Sequence, residues 1–143
     1  MSTAFSKVVS AVMAVMLAQP RICKGVYRAR ALAVGSQDDE AITVQCEHAI
    51  PAAATISGAP IDWSTRITVE CFARSVKDSG DLAVDPLLER VFERLAADST
   101  LGGMVDDFVI AGIEFENSED GKKTGWVRLT YIAVHRTSNL LIS

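Results

Sequence analysis

Cys46 and His48 are the two side chains of this sequence best placed by type and spacing to do chemistry. Two residues apart on a strand they would share a face, and a thiol beside an imidazole is the minimal nucleophile–base pair. No third group stands nearby in the sequence to orient the ring, and the other histidine, His135, is far along the chain. The three cysteines, Cys23, Cys46 and Cys71, are odd in number and form no CxxC pair. They read as reduced thiols, with Cys46 and Cys71 as small inward-facing hydrophobes, and no ligand spacing suggests zinc. Asp38-Asp39-Glu40 and Asp106-Asp107 gather carboxylates as a hard cation requires, but neither has the ligand ladder of a calcium loop. Both read as solvated acidic turns. The phosphate loop GxxxxGK[ST], the dinucleotide GxGxxG, HExxH and GxSxG are all missing. The sequence therefore predicts no catalytic residues, no metal site and no cofactor; a small enzyme acting through Cys46 and His48 is the weaker alternative.

A chain of 143 residues fits a single domain, 1–143, and its 49% hydrophobic content is ample for one core. A net charge of -4 and a pI near 5.1 argue against direct, sequence-specific nucleic-acid binding. The local exception is Arg21, Lys24, Arg28 and Arg30, a cationic cluster that reads as a solvated face or as a contact for an acidic partner surface. Val8 to Ala18 is apolar and follows Lys7, a superficial likeness to a signal peptide. Ser10 interrupts the run, Gln19-Pro20 closes it, and it falls short of the about 20 apolar residues that span a bilayer. A buried helix and no membrane contact are expected.

The elements that would position these residues follow from periodicity. A helix from about Thr3 to Leu17, capped by Ser2 or Thr3, shows an apolar stripe of Phe5, Val8, Val9, Val12, Val15 and Met16. A short strand is expected over Gly25–Ala33, then an acidic turn over Gly35–Glu40. From Ala41, residues Ile42, Val44, Cys46, His48 and Ile50 alternate with polar ones as on a half-buried strand. Pro51–Pro60 reads as a loop. Ile61–Arg74 alternates most clearly: Ile67, Val69, Cys71 and Ala73 face one way, and Arg66, Thr68, Glu70, Phe72 and Arg74 the other. Phe72 among charges suggests that this second face meets something other than bulk water. A second helix starts near Asp81 or Asp85 and runs to Ala97, with Leu88, Val91, Phe92 and Leu95 as its buried stripe. Strands Val105–Glu116 and Thr124–Arg136 flank Asn117–Lys123, whose Asp120-Gly121 is a hairpin signal. The last strand carries large apolar groups on both faces and should be central or covered twice. The fold class predicted is α+β: an antiparallel or mixed β-sheet of about 4–5 strands with two α-helices packed mainly on one face. A nearly chargeless first helix, a two-sided last strand, the apolar tip Leu140-Leu141-Ile142 and a mean hydropathy of +0.22 exceed what a monomer usually exposes. Oligomerisation with closed symmetry is the expected outcome.

Gly58–Arg74, Leu87–Leu95, Leu101–Asp107 and the closing stretches Val127–Tyr131 and His135–Thr137 resemble the tail terminator, or minor tail protein U-like, family of long-tailed bacteriophages. The resemblance covers most of the chain from about residue 42. It implies a ring, commonly a hexamer, that caps the tail tube, ends its polymerisation and offers the surface that joins head to tail. The implied partners are further copies of the chain, the tail tube protein and the head–tail connector protein. The implied location is the tail–neck junction of a virion assembled in the bacterial cytoplasm. No catalytic residues come with it. Candidate subunit or tube contacts are Phe5, Val9, Val12 and Met16 of the first helix, Asp38, Asp39 and Glu40 of the acidic turn, and Glu119, Asp120, Lys122 and Lys123 of the hairpin tip. Arg21, Lys24, Arg28 and Arg30 are candidate connector contacts. The alternative within virion assembly is a head–tail connector or stopper component of the neck.

Overall fold

The computed structural model describes residues 3–20, 22–23, 25–28, 39–52, 58–75, 80–118, 123–138 and 141–142. Its elements are α1 (Ala4–Leu17), β1 (Gly25–Arg28), β2 (Glu40–Pro51), β3 (Ile61–Ser75), α2 (Gly80–Ala96), β4 (Asp107–Ser118) and β5 (Lys123–Thr137). The strands form one sheet in the order β1-β2-β3-β5-β4. β1 runs parallel to β2 and every other pairing is antiparallel, so the sheet is mixed. β3 and β5 pair without interruption from Ile61↔Thr137 to Ser75↔Lys123 and form its spine. β5 is thus interior, which accounts for the apolar groups on both of its faces.

Both helices lie on one face. α1 covers β1 and β2, α2 covers β3 and β5, and the helices touch. Val8, Val9, Val12 and Met16 of α1 close over Ile42 and Val44, while Val84, Leu87, Val91 and Leu95 of α2 join Ile67, Val69, Cys71, Val127 and Leu129. Fully burying one such aliphatic side chain contributes roughly 1.5–3 kcal/mol. α1 starts at the Thr3 cap, whose hydroxyl accepts from Ser6 N at 3.2 Å.

The buried stripe of α2 is turned relative to the expected one: Val84 and Leu87 are fully packed, Leu88 is half-buried and Phe92 is exposed. Two arginines explain the setting. Arg94 donates to the carbonyls of Ala18 (2.9 Å) and Val15 (3.4 Å) at the unpaired end of α1, and Arg90 pairs with Glu40 at 2.6 Å. Rotating α2 to bury Phe92 would carry both guanidinium groups away from these partners. Past α2, Leu101, Gly102 and Gly103 all have positive φ (50°, 72° and 88°) and turn the chain into β4. Leucine is a poor residue for that conformation, and its burial in the core holds it there.

The open sheet face is a row of cross-strand matches. Asp62 binds Arg136 (2.7 Å), Arg128 lies 2.9 Å from Glu70 and 3.9 Å from Glu114, and Phe72 meets Trp126 edge-on at 4.6 Å. Arg74 sits over the Phe72 ring. Phe72 is therefore shielded from water by its own neighbours.

Candidate functional site

The Cys46–His48 pair is not assembled. β2 carries a bulge between these residues: Cys46 registers with Ile67 and His48 with Arg66, which point to opposite faces of β3. One inserted residue moves the second side chain across the sheet. Cys46 is also exposed, correcting the expectation that it packs inward, whereas Cys71 and Cys23 are buried as free thiols. Partial burial raises the Cys46 thiol above its ordinary pKa, away from thiolate. Among the described residues no group of three or more His, Cys, Asp or Glu could hold a metal ion. Asp107 accepts from the amide of Phe108 at 2.9 Å, as a capping side chain at the start of β4.

His135 is the most constrained polar group. It is buried on β5, 2.6 Å from the Thr65 hydroxyl, and meets the edge of the Phe5 ring at 5.4 Å. Burial holds its pKa below the ordinary value, opposed in part by Asp106. Phe5 also packs edge-on against Trp63, whose indole donates to Thr137 at 2.9 Å. This cluster fastens the start of α1 to the end of β5.

The candidate contact residues divide by position. Val9, Val12 and Met16 are buried in the chain's own core and Phe5 is half-buried; α1 turns Lys7, Ser10, Ala14 and Leu17 outward instead. Asp39 is exposed at the start of β2, beside Glu40 with its Arg90 partner. Arg28 is held against α1 by the hydroxyls of Ser6 (2.6 Å) and Ser10 (2.7 Å). Lys123 opens β5. Arg21, Lys24, Arg30, Asp38, Glu119, Asp120 and Lys122 lie outside the described residues. At the C-terminal tip, Leu141 and Ile142 are exposed, and the Ile142 carbonyl accepts from Ala4 N.

Among the described residues, one exposed apolar feature was not among the contacts expected from the sequence. Val109, Ile110, Ile113 and Phe115 of the edge strand β4 are all exposed, and Phe115 is 67% accessible. A shallow depression beside them is lined by Glu70, Glu114, Phe115, Glu116, Trp126, Val127 and Arg128. The signal was the run Phe108-Val109-Ile110-Ala111, apolar at consecutive positions, so that either strand face is greasy. Among the described residues no helix is long and apolar enough to cross a membrane.

No protein-family model and no curated protein sequence matches the chain. Among solved structures, a chain of the "Virion of native gene transfer agent (GTA) particle" matches it over 95% of this chain and 100% of that one. The TM-score is 0.63 and the identity 14%, so the two share a fold.

Proposed function

We propose that this chain is a structural protein of a phage-like virion and, within it, the tail terminator: a ring that caps the tail tube and presents the head-joining surface. The observation that carries the virion reading is the end-to-end match to a chain of a gene transfer agent particle. The finer role rests on the sequence resemblance to tail terminators over most of the chain from about residue 42. A non-catalytic role agrees with the separation of Cys46 from His48 across the sheet. In this reading the partners are other copies of the chain, the tail tube protein below and the connector above, without cofactor or membrane.

Adding the purified protein to polymerised tail tubes tests the assignment by electron microscopy. The expected result is density at tube ends and arrested growth. Binding to connector rings with no affinity for tube ends would overturn the terminator role in favour of a neck stopper.

A further inference from the structure

β4 ends the sheet on one side, and its outer edge has no strand beside it among the described residues. Every residue of 109–116 is exposed. Unpaired edges accept another strand unless proline, a bulge, charge or cover blunts them. β4 contains no proline. Its bulge lies between Ile110 and Gly112, and beyond it the stretch 112–118 pairs with 124–130 without a shift of register. Charge is the device that remains on this stretch, and it sits on one face only, as Glu114 and Glu116. We propose that 112–118 accepts, as an added outer strand, an extended segment of another protein in which basic and apolar residues alternate.

The two faces of the stretch call for different side chains. On the open face Glu114 stands beside Arg128, with Glu70 next in the row, and Glu116 stands beside Trp126. These five residues line a shallow depression in which three carboxylates meet one guanidinium. Arg128 holds Glu70 at 2.9 Å but Glu114 only at 3.9 Å, and Glu116 has no ion pair among the described residues. The depression therefore carries excess negative charge beside an indole. A lysine or arginine of an added strand can lay its stem along Trp126 and set its charge against Glu116 and Glu114, with cation–π attraction adding to the ion pair. On the helix face Ile113 and Phe115 project past the cover of α2 into solvent. Phe92 widens this apolar patch: at about 100° per residue it lies on the flank of α2 opposite Arg90 and Arg94, which reach toward the α1 side. Apolar side chains belong there. Successive residues of a strand point to opposite faces, so the two demands combine into one alternating pattern.

β4 of a second copy does not meet this pattern. It would set Glu114 and Glu116 against their own kind, and like charges across a strand pair are destabilising. The two glutamates thus act as a filter that repels a like strand and attracts a basic one. Strand addition draws its affinity from main-chain hydrogen bonds and its selectivity from the alternating side chains. The inference does not depend on the terminator role.

The probe is a fluorescent peptide of alternating lysine and valine, about seven residues or ~23 Å long to match 112–118. It is titrated into the full chain by anisotropy, and backbone amide exchange is followed with and without it. The expected result is saturable binding, with the added protection centred on β4. Glu114→Lys combined with Glu116→Lys should weaken binding at least about tenfold and gain binding of the glutamate–valine counterpart, a gain that an unfolded chain could not give. The same lysines and valines arranged in two blocks should also bind at least about tenfold more weakly. No binding, equal binding of the block peptide, or binding that charge reversal leaves unchanged would overturn the inference. Protection of 112–118 in the protein alone, growing with its concentration, would assign the edge to a second copy and overturn it too. Tube-end capping without peptide binding would sink the edge and leave the terminator role standing; peptide binding without capping would do the reverse.

Discussion

β5 and β4 are neighbours in one sheet, paired along their length but for a bulge between Ile110 and Gly112, yet they experience different solvents. Ile113 registers with Leu129 and Phe115 with Val127 on the same face. Leu129 and Val127 are 0% and 1% accessible, while Ile113 and Phe115 are 37% and 67% accessible. The strand sequences are comparably apolar; what separates them is where α2 ends. α2 rests chiefly on β3 and β5, reaches β4 only in part and is tied by Arg90 and Arg94 to the α1 side, so its cover thins toward the edge strand. A strand can thus be hydrophobic on either side of the covered region, and the position of the covering helix distinguishes a core strand from an exposed one.

The largest contrast should come from truncating across one register pair. Leu129→Ala leaves a cavity under α2 and is expected to cost about 2–5 kcal/mol, read from the denaturant midpoint. Ile113→Ala, its partner in register, should cost under about 1 kcal/mol in the monomer. Equal losses would mean that β4 is as well covered as β5.

The cover itself is the next target. Arg94 donates to carbonyls at the end of α1, and hydrogen bonds from charged groups are worth about 1.5–3 kcal/mol. Arg94→Ala should destabilise within that range, with α1 amides exchanging fastest. Unchanged protection of α1 would show that the core contacts alone hold it.

Much of this architecture was legible from periodicity. The alternation of Ile61–Arg74 and the two-sided pattern of the last strand located the two strands of the spine, though not their pairing, because period two with a constant apolar face has one solution. Pro20, the Thr3 cap and the spacing of Val8, Val12 and Met16 located α1. The illegible features depend on tertiary contacts. The bulge that separates Cys46 from His48 leaves no mark in the residue pattern. The rotation of α2 depends on what Arg90 and Arg94 reach, and those carbonyls come from α1 and the stretch after it. The exposed edge was not read in advance: the apolar run at 108–111 carried a signal, but the place of β4 at the end of the sheet order was not written locally.

Acid should loosen the covered side at its weakest point. His135 is buried at the far end of β5 under Phe5, with its pKa lowered chiefly by desolvation. A depressed pKa means that the unfolded chain takes up the proton first as pH falls. The stabilisation is therefore complete above the unfolded value near 6.5 and declines below it until the folded ring protonates as well. Unfolding midpoints at neutral pH and in the acid range, compared with His135→Gln, should show a steeper acid loss in the native sequence. Parallel losses would assign the acid sensitivity to the carboxylates.

The smallest effect on stability should accompany the largest on binding. Phe115→Ser removes an aromatic ring that is two-thirds solvated, so the monomer should change by no more than about 0.5 kcal/mol. The same substitution deletes the most prominent apolar contact of the β4 edge. If that edge accepts a partner strand, anisotropy should show binding of the lysine–valine peptide lost while the unfolding midpoint stays in place. A midpoint that drops by as much as for Leu129→Ala would instead put Phe115 in the core, and the distinction between the two strands would collapse.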